Sequence, residues 1–129
     1  MATGFDHWGV TWEPVKITTE LGYTMTAFHV TGNADGPFEI TRPAVVMQHG
    51  MGGNSDNWTM TINGTKPDKD VKPMAITLAE AGFDVWMANN AGTKYGWEHD
   101  VYTTDDKEFW EIDWTTNAVY DFPALVAEI

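Results

Sequence analysis

The chain has 129 residues, in which 7 Lys and Arg face 19 Asp and Glu, so its formal net charge is −12 at pH 7. Such a charge repels nucleic acid and anionic membrane surfaces, and neither is an expected partner. A hydrophobic content of 43% with 13% aromatic residues predicts one globular core rather than disorder. Cysteine is absent, which excludes disulfides and thiolate metal sites.

The first elements predict the start of a sheet. Residues 1–14 lack periodicity and are interpreted as an N-terminal arm. The β-rich runs at 15–19 and 23–30, joined through a Leu-Gly turn, predict a hairpin. Turn-forming residues fill 31–37, and the apolar run at 43–48 predicts a short buried strand.

A strand-helix-strand unit is predicted next. Residues 54–70 are polar and indicate an exposed loop, whereas Pro and Gly bracket a helix over about 73–81. The helix is expected to turn Met74, Ala75, Leu78 and Ala79 to one face. A second buried strand is predicted at 83–88, and this βαβ pattern implies a parallel pair of strands in a sheet covered on both faces.

The last predicted element is a helix capped by Asp113 and kinked by Pro123. Helical spacing places four apolar residues on one of its faces: Val119, Phe122, Val126 and Ile129.

The stretch "QHGMGGNSDNW", residues 48–58, follows the 43–48 strand and is the strongest candidate for chemistry. Its glycines lack the spacing of a dinucleotide or phosphate loop, and no Lys follows them. Two interpretations stay open from the residues alone. One is a plain glycine turn, and the other is a His-Gly oxyanion loop, which offers a backbone N–H to a tetrahedral acyl intermediate.

Three motifs in order, "VVMQHGMGGNSDNW", "LAEAGFDVWMANNAGT" and "EFWEIDWTTNAVYDFPALVAEI", resemble the acid lipase family of gastric and lysosomal lipases. "GYTMTAFHV" is similar to that family's second strand. The resemblance implies an α/β fold, with residues 15–129 forming the N-terminal half of an α/β-hydrolase sheet of about four strands with flanking helices. It also implies serine acyl transfer on triacylglycerols or steryl esters, without metal or organic cofactor.

For the site, the resemblance implies that the Met51 backbone N–H is one oxyanion donor, that Gly50 permits close approach, and that His49 orients the loop rather than acting as the base. The family usually has Ser-Arg-Gly where this chain has Asn90-Ala91-Gly92, so an Arg able to pair with nearby carboxylates is missing. The loop at 59–72 also looks longer than usual.

The family's nucleophile elbow, G-x-S-x-G, is expected one strand after the last helix, and the acid and base follow it. None of the three is identified within these residues, so the chain alone is expected to be inactive. The strand at 43–48 would then be an open apolar edge that pairs with the remaining hydrolase portion. The alternative is a non-catalytic assembly subunit built from a degenerate hydrolase half. Epoxide-opening chemistry is disfavoured because no Pro follows His-Gly.

Three further expectations concern a substrate channel, glycosylation and the location of the protein. Trp58, with Trp86 and Trp97, is a candidate lining of an apolar substrate channel, although buried Trp is usually core. Asn57 and Asn63 begin N-x-[S/T] sequons and are candidate glycosylation sites. The family resemblance, the sequons and the acidic composition favour a secreted protein or one in the lysosome or another acidic compartment, although the N-terminus lacks the basic and apolar runs of a signal peptide.

Overall fold

The computed structural model describes residues 2–60, 62, 63, 66, 67 and 70–129. Within these described residues, eight strands form two sheets, and four of the strands have only two residues each. Their bounds are β1 Val10–Thr18, β2 Tyr23–Asn33, β3 Gly36–Pro37, β4 Ala44–Met47, β5 Ile62–Asn63, β6 Lys66–Pro67, β7 Asp84–Met87 and β8 Glu98–His99.

The main sheet runs in the order β1-β2-β7-β4, and β3 and β8 pair with the two ends of β2. β4 is parallel to β7, whereas β2 is antiparallel to every strand that it pairs with. β5 and β6 form a separate antiparallel pair. Within the described residues β4 pairs with β7 alone, so its other edge is open.

The helices are short, and in the part of the chain that is described none is long and apolar enough to cross a membrane. Two 3-10 turns, at Ser55–Trp58 and Lys107–Trp110, lie between the longer elements. The helical bounds are α1 Ala2–Trp8, α2 Met74–Glu80, α3 Trp114–Thr116, a π-helical segment Asn117–Asp121, and α4 Phe122–Glu128.

The predicted hairpin and βαβ unit are both confirmed. β1 and β2 pair antiparallel over their full length, with Val15 opposite Ala27 and Ile17 opposite Met25. β4, α2 and β7 follow one another, and the two strands pair in parallel with Val45 opposite Val85. The fold is therefore the mixed α/β arrangement that the sequence predicts.

Helix α2 packs on one face of the sheet through residues that have no exposed surface: Ala75, Ile76 and Ala79. Pro73 stands at its start, and Gly82 follows its end with φ +98°, a conformation that glycine adopts without strain. The predicted apolar face of α2 is partly wrong, because Met74 is 59% exposed and Ile76 takes its place in the core.

The last helix begins as predicted. The Asp113 carboxylate accepts the Thr116 backbone N–H, and the Thr116 hydroxyl reaches back to the Asp113 backbone in a capping box. Pro123 lies in the first turn of α4, directly after the π-helical segment. A wider turn before a proline accommodates the carbonyl that its ring would otherwise meet.

The N-terminal arm expected at residues 1–14 is wrong. Residues 2–14 form helix α1 and the first half of β1, and the side chain of Phe5 is fully buried and stacks on Trp12 with ring centroids 5.2 Å apart. A seven-residue helix and an edge strand are each too short to leave a clear period in the sequence.

Two loop predictions need correction. The turn expected at 31–37 is narrower, because β2 continues to Asn33 and β3 pairs with its end. The loop at 54–70 is not fully exposed, since Ser55 and Thr59 are buried. Part of this loop, and of the longer one expected at 59–72, lies outside the described residues.

Candidate functional site

The glycine loop after β4 is a tight turn at the carboxyl end of the strand. The Gly53 N–H donates to the Gly50 carbonyl at 3.0 Å, and Gly52 has φ +72°, which favours glycine. The space above Gly50 is open, because a Cβ added there would meet no atom within 4 Å. The Met51 side chain is 78% exposed, and no hydrogen bond among the described residues engages its backbone N–H.

His49 holds this loop to the loop that follows β7. Its ring is buried, with Nδ1 2.8 Å from the Gly50 carbonyl oxygen and Nε2 3.3 Å from the Asn90 backbone nitrogen. A backbone N–H can only donate, so Nε2 is the acceptor and Nδ1 carries the proton that is donated to Gly50. Both ring nitrogens of His49 are therefore engaged in hydrogen bonds to the backbone.

Side-chain amides add two more links between neighbouring loops. The Gln48 amide donates to the Asn90 side-chain oxygen at 3.1 Å. The buried Asn89 amide accepts the Ser55 N–H at 2.8 Å and donates to the Thr26 carbonyl at 2.7 Å. The ends of β4 and β7 and the 3-10 turn are thus joined below the glycine loop.

Asp56, in the 3-10 turn, is bound to the same post-β7 loop. Its carboxylate accepts hydrogen bonds from Lys94 at 2.6 Å and from the Tyr95 hydroxyl at 2.9 Å. Burial opposes ionisation, but these two donors outweigh it and hold the pKa of Asp56 below its usual value.

A cavity of about 520 Å³ opens beside the glycine loop. One wall is formed by the loops at 48–52 and 90–93, and the other by residues that precede and begin the last helix. The apolar and aromatic members of that second wall are Trp110, Ile112, Trp114, Ala118 and Phe122. This composition suits an apolar molecule or segment held next to backbone N–H groups.

Asp121 lies in the π-helical segment behind this cavity and is only 1% exposed. Its Oδ2 accepts the Ala91 backbone N–H at 2.9 Å and the Asn117 side-chain amide at 2.8 Å, whereas no described residue bonds to its Oδ1. Burial raises the pKa of Asp121, and the two donors oppose that rise only in part.

The sequence-predicted residues divide into two groups. His49, Gly50 and Met51 lie together on the cavity wall. Trp58 does not line this cavity but packs against the core under α2, and Trp86 and Trp97 are also absent from its lining. Trp110 and Trp114 line this cavity instead, and the substrate-channel role of the other three tryptophans stays a prediction.

The candidate glycosylation sites are not tested by the structure. Asn57 is exposed in the 3-10 turn, while Gly64 and Thr65 of the second sequon, which begins at Asn63, lie outside the described residues. Both sequons stay predictions.

None of His29, His49 and His99 bonds to a side-chain hydroxyl among the described residues. His29 lies between Glu13 and Asp84, and His99 bonds to backbone groups of neighbouring loops. No group of three or more His, Asp or Glu in the described part of the chain is arranged to hold a metal ion.

Sequence reasoning missed two residues that hold the loops. Asn90 was noted only as a departure from a motif, yet it bonds to both Gln48 and His49. Asp121 was not singled out, although an acidic residue four positions after Asn117 in a helix that is otherwise apolar on that side was a usable signal.

The chain is similar to known lipases over most of its length. Residues 2–62 match the family described as "Partial alpha/beta-hydrolase lipase region". Over 93% of its length, the chain is 31% identical to human lipase member M, 30% to bovine gastric triacylglycerol lipase, and 30% to human lysosomal acid lipase/cholesteryl ester hydrolase. It spans 27–29% of the length of these relatives.

The parallel βαβ unit, the His-Gly loop at the end of β4 and the matched family region define a partial α/β-hydrolase. Within that class, the relatives support the acid lipase family for this chain, and specifically the N-terminal portion of such a lipase.

Proposed function

We propose that this chain supplies the oxyanion loop of an acid-lipase-type serine ester hydrolase acting on triacylglycerols or steryl esters. The Met51 backbone N–H is one donor to the oxyanion, Gly50 leaves room for the reacting carbonyl, and His49 fixes the loop. No metal or organic cofactor takes part. The nucleophile, the acid and the base belong to the remaining hydrolase portion.

The observation that carries the proposal is the unengaged Met51 N–H in a loop whose geometry is otherwise fixed. A donor that is preorganised and free of internal partners can stabilise charge that develops in the transition state. The loop also borders an apolar cavity of about 520 Å³, as an ester with an acyl chain would require.

The remaining hydrolase portion pairs, in this proposal, along the open edge of the strand at 43–48. Ala44, Val45 and Val46 are exposed or half-buried there, whereas Met47 is buried. A strand edge with apolar side chains and unpaired backbone groups is covered in stable proteins. Pairing at this edge brings the second oxyanion donor, the N–H after the nucleophile, next to Met51.

Met51 tests the role of the backbone. In the full-length enzyme, Met51→Pro removes the N–H and is expected to lower the acylation rate about 10²–10³-fold, whereas Met51→Leu keeps it and most of the activity. The measurement is the pre-steady-state acylation rate with p-nitrophenyl butyrate. Equal losses in both variants would assign the role to the side chain.

His49 is tested by a matched pair of variants. His49→Asn can keep a hydrogen bond to the loop, whereas His49→Ala lets it relax, and a donor displaced by about 1 Å loses roughly 10²-fold in rate. We expect Ala to lower acylation far more than Asn, with neither shifting the pH dependence of the catalytic base. Loss of the basic limb in both variants between pH 4 and 8 would make His49 the base.

A second candidate is a non-catalytic assembly subunit that docks by the same strand edge. It is supported by the open edge of β4 in the described sheet, which can dock a second protein segment whether or not that segment is catalytic. The residues that complete the hydrolase sheet decide between the two, because a G-x-S-x-G elbow there supports catalysis and its absence supports assembly.

We also propose a secreted or lysosomal location, in keeping with the names of the gastric and lysosomal relatives. Glycosidase treatment of the native protein and peptide mass analysis at Asn57 and Asn63 test it, because N-glycans are added along the secretory route.

A further inference from the structure

Asp121 is a buried carboxyl group without a cation. Its side chain is 1% exposed, both hydrogen bonds that it accepts fall on Oδ2, and Oδ1 is buried without a partner among the described residues. An ionised carboxylate normally has hydrogen bonds to both oxygens, or a cation, when it is buried to this extent. Burial without a cation therefore disfavours the charged form of this carboxyl group.

The described residues that bond to Asp121 supply no cation. They are the Ala91 backbone N–H and the Asn117 side-chain amide, which are both uncharged. After burial, the charges of Glu111, Asp121 and Tyr102 raise the pKa of Tyr23 on β2, and none of these neighbouring groups is basic. Lys94, in the same loop as Ala91, is bound to Asp56 instead.

A continuous series of hydrogen bonds connects Asp121 to the glycine loop. Asp121 holds the Ala91 N–H at 2.9 Å, the neighbouring Asn90 N–H donates to His49 Nε2 at 3.3 Å, and His49 Nδ1 donates to the Gly50 carbonyl at 2.8 Å. The position of the post-β7 loop therefore sets the position of Gly50, the residue immediately before Met51.

We propose that Asp121 is a positioning residue for the oxyanion loop and that it performs this role as a neutral carboxylic acid. The inference rests on the proposed function of that loop. Proton loss leaves a buried charge that has no cation, which destabilises the helix start against the post-β7 loop and loosens the bonds that lead to His49.

The sign of the pH dependence follows from the raised pKa of Asp121, which burial causes. A carboxyl group with a higher pKa in the folded state stabilises the fold fully below its unfolded value of 3.8, and this stabilisation is lost as the pH rises through the folded value. The residue thus favours a protein that works in acid.

The test compares Asp121→Asn, a neutral isostere, with wild type in the full-length protein. Melting temperatures between pH 4 and 8 are expected to fall less with rising pH in Asp121→Asn, so that the variant gains relative to wild type at neutral pH. Asp105→Asn, an exposed carboxylate, is the matched control for net charge and is expected to follow wild type. An infrared titration from pH 4 to 8 should show a protonated carboxyl band that persists to higher pH in wild type than in Asp121→Asn.

A second pair of variants supplies the missing cation. Ala91→Arg is expected to abolish the fall in melting temperature that wild type shows between acidic and neutral pH. Ala91→Met adds similar bulk without a charge and is expected to leave that fall unchanged. Asp121→Ala is expected to speed hydrogen exchange of the Asn90 and Ala91 amides and to lower acylation of p-nitrophenyl butyrate about 10–10²-fold, because the donor moves.

The outcomes separate this inference from the proposed function. If wild type hydrolyses no ester at any pH, the proposed function fails, while melting, infrared and amide exchange still decide the state and effect of Asp121. Identical pH dependence of melting in wild type and Asp121→Asn overturns the neutral acid. Unchanged exchange at Asn90 in Asp121→Ala overturns the positioning role.

Discussion

The two faces of the main sheet are covered by helices to different extents. On one face, α2 buries Ala75, Ile76 and Ala79 completely. On the other face, α4 buries only Leu125 among its apolar residues, while Phe122 and Val126 are 44% and 50% exposed. The cavity and the buried Asp121 without a cation also lie on this second side.

The carboxylates of the two regions differ in the same way. Asp56 has a lysine and a tyrosine as donors, whereas Asp121 has a backbone N–H and an amide on one oxygen only. The carboxylate of Asp56 is therefore satisfied on both oxygens by side chains of the post-β7 loop. The region around the last helix has apolar and polar groups that internal contacts do not satisfy, which is where further protein is expected to pack.

The largest effect on the free energy of unfolding is expected on the face that α2 covers. Ile76→Ala removes a fully buried side chain and should lower the free energy of unfolding of the full-length protein by about 2–5 kcal/mol. Met74→Ala, in the same helix at a 59% exposed position, should change it by less than about 0.5 kcal/mol. Urea unfolding measures both, and similar costs at the two positions would contradict the packing of α2.

A smaller effect tests whether the second face is covered in the full-length protein. Val126→Thr keeps the shape and adds a hydroxyl, which costs about 1–2 kcal/mol if the surface is buried by further protein. Val101→Thr, at a 75% exposed position, is the control and should cost less than about 0.5 kcal/mol. If neither substitution lowers the free energy of unfolding, no further protein covers α4, and its apolar face is exposed in the full-length protein as well.

The smallest effect concerns the partners of Asp56. The lowered pKa of Asp56 stabilises the fold above its unfolded value of 3.8, and this stabilisation is lost as the pH falls through the folded value. Lys94→Met should therefore lower the melting temperature at pH 7, with a difference from wild type that shrinks towards pH 3. Lys107→Met, at an 87% exposed side chain, is the control. A difference independent of pH would mean that Lys94 acts through packing.

The sequence was most informative where local signals are strong. Pro73 and Gly82 bracketed α2, Asp113 marked the cap of the last helix, and the apolar runs marked β4 and β7. These features depend on residues close in sequence, and so their patterns can be read directly.

The rest depended on contacts between distant residues. Phe5 is buried because α1 packs beside β1, and nothing in the first fourteen residues records that packing. The sequence pointed to His49, but its bond to Asn90 crosses 41 positions. Trp110 and Trp114 line the cavity because the last helix faces the glycine loop, so the choice among the tryptophans required the tertiary structure.

The two edge strands of the main sheet differ in their ability to pair with another chain. β4 has an open edge with apolar side chains, whereas β1, at the opposite edge, contains Pro14 and the exposed charges of Glu13 and Lys16. Proline and charge on an edge strand discourage pairing with another chain. Two copies can therefore join β4 to β4 about a twofold axis, but a fibre needs a second adhesive edge on every copy. Any self-association of residues 1–129 through strand edges should accordingly stop at a dimer instead of propagating into fibrils.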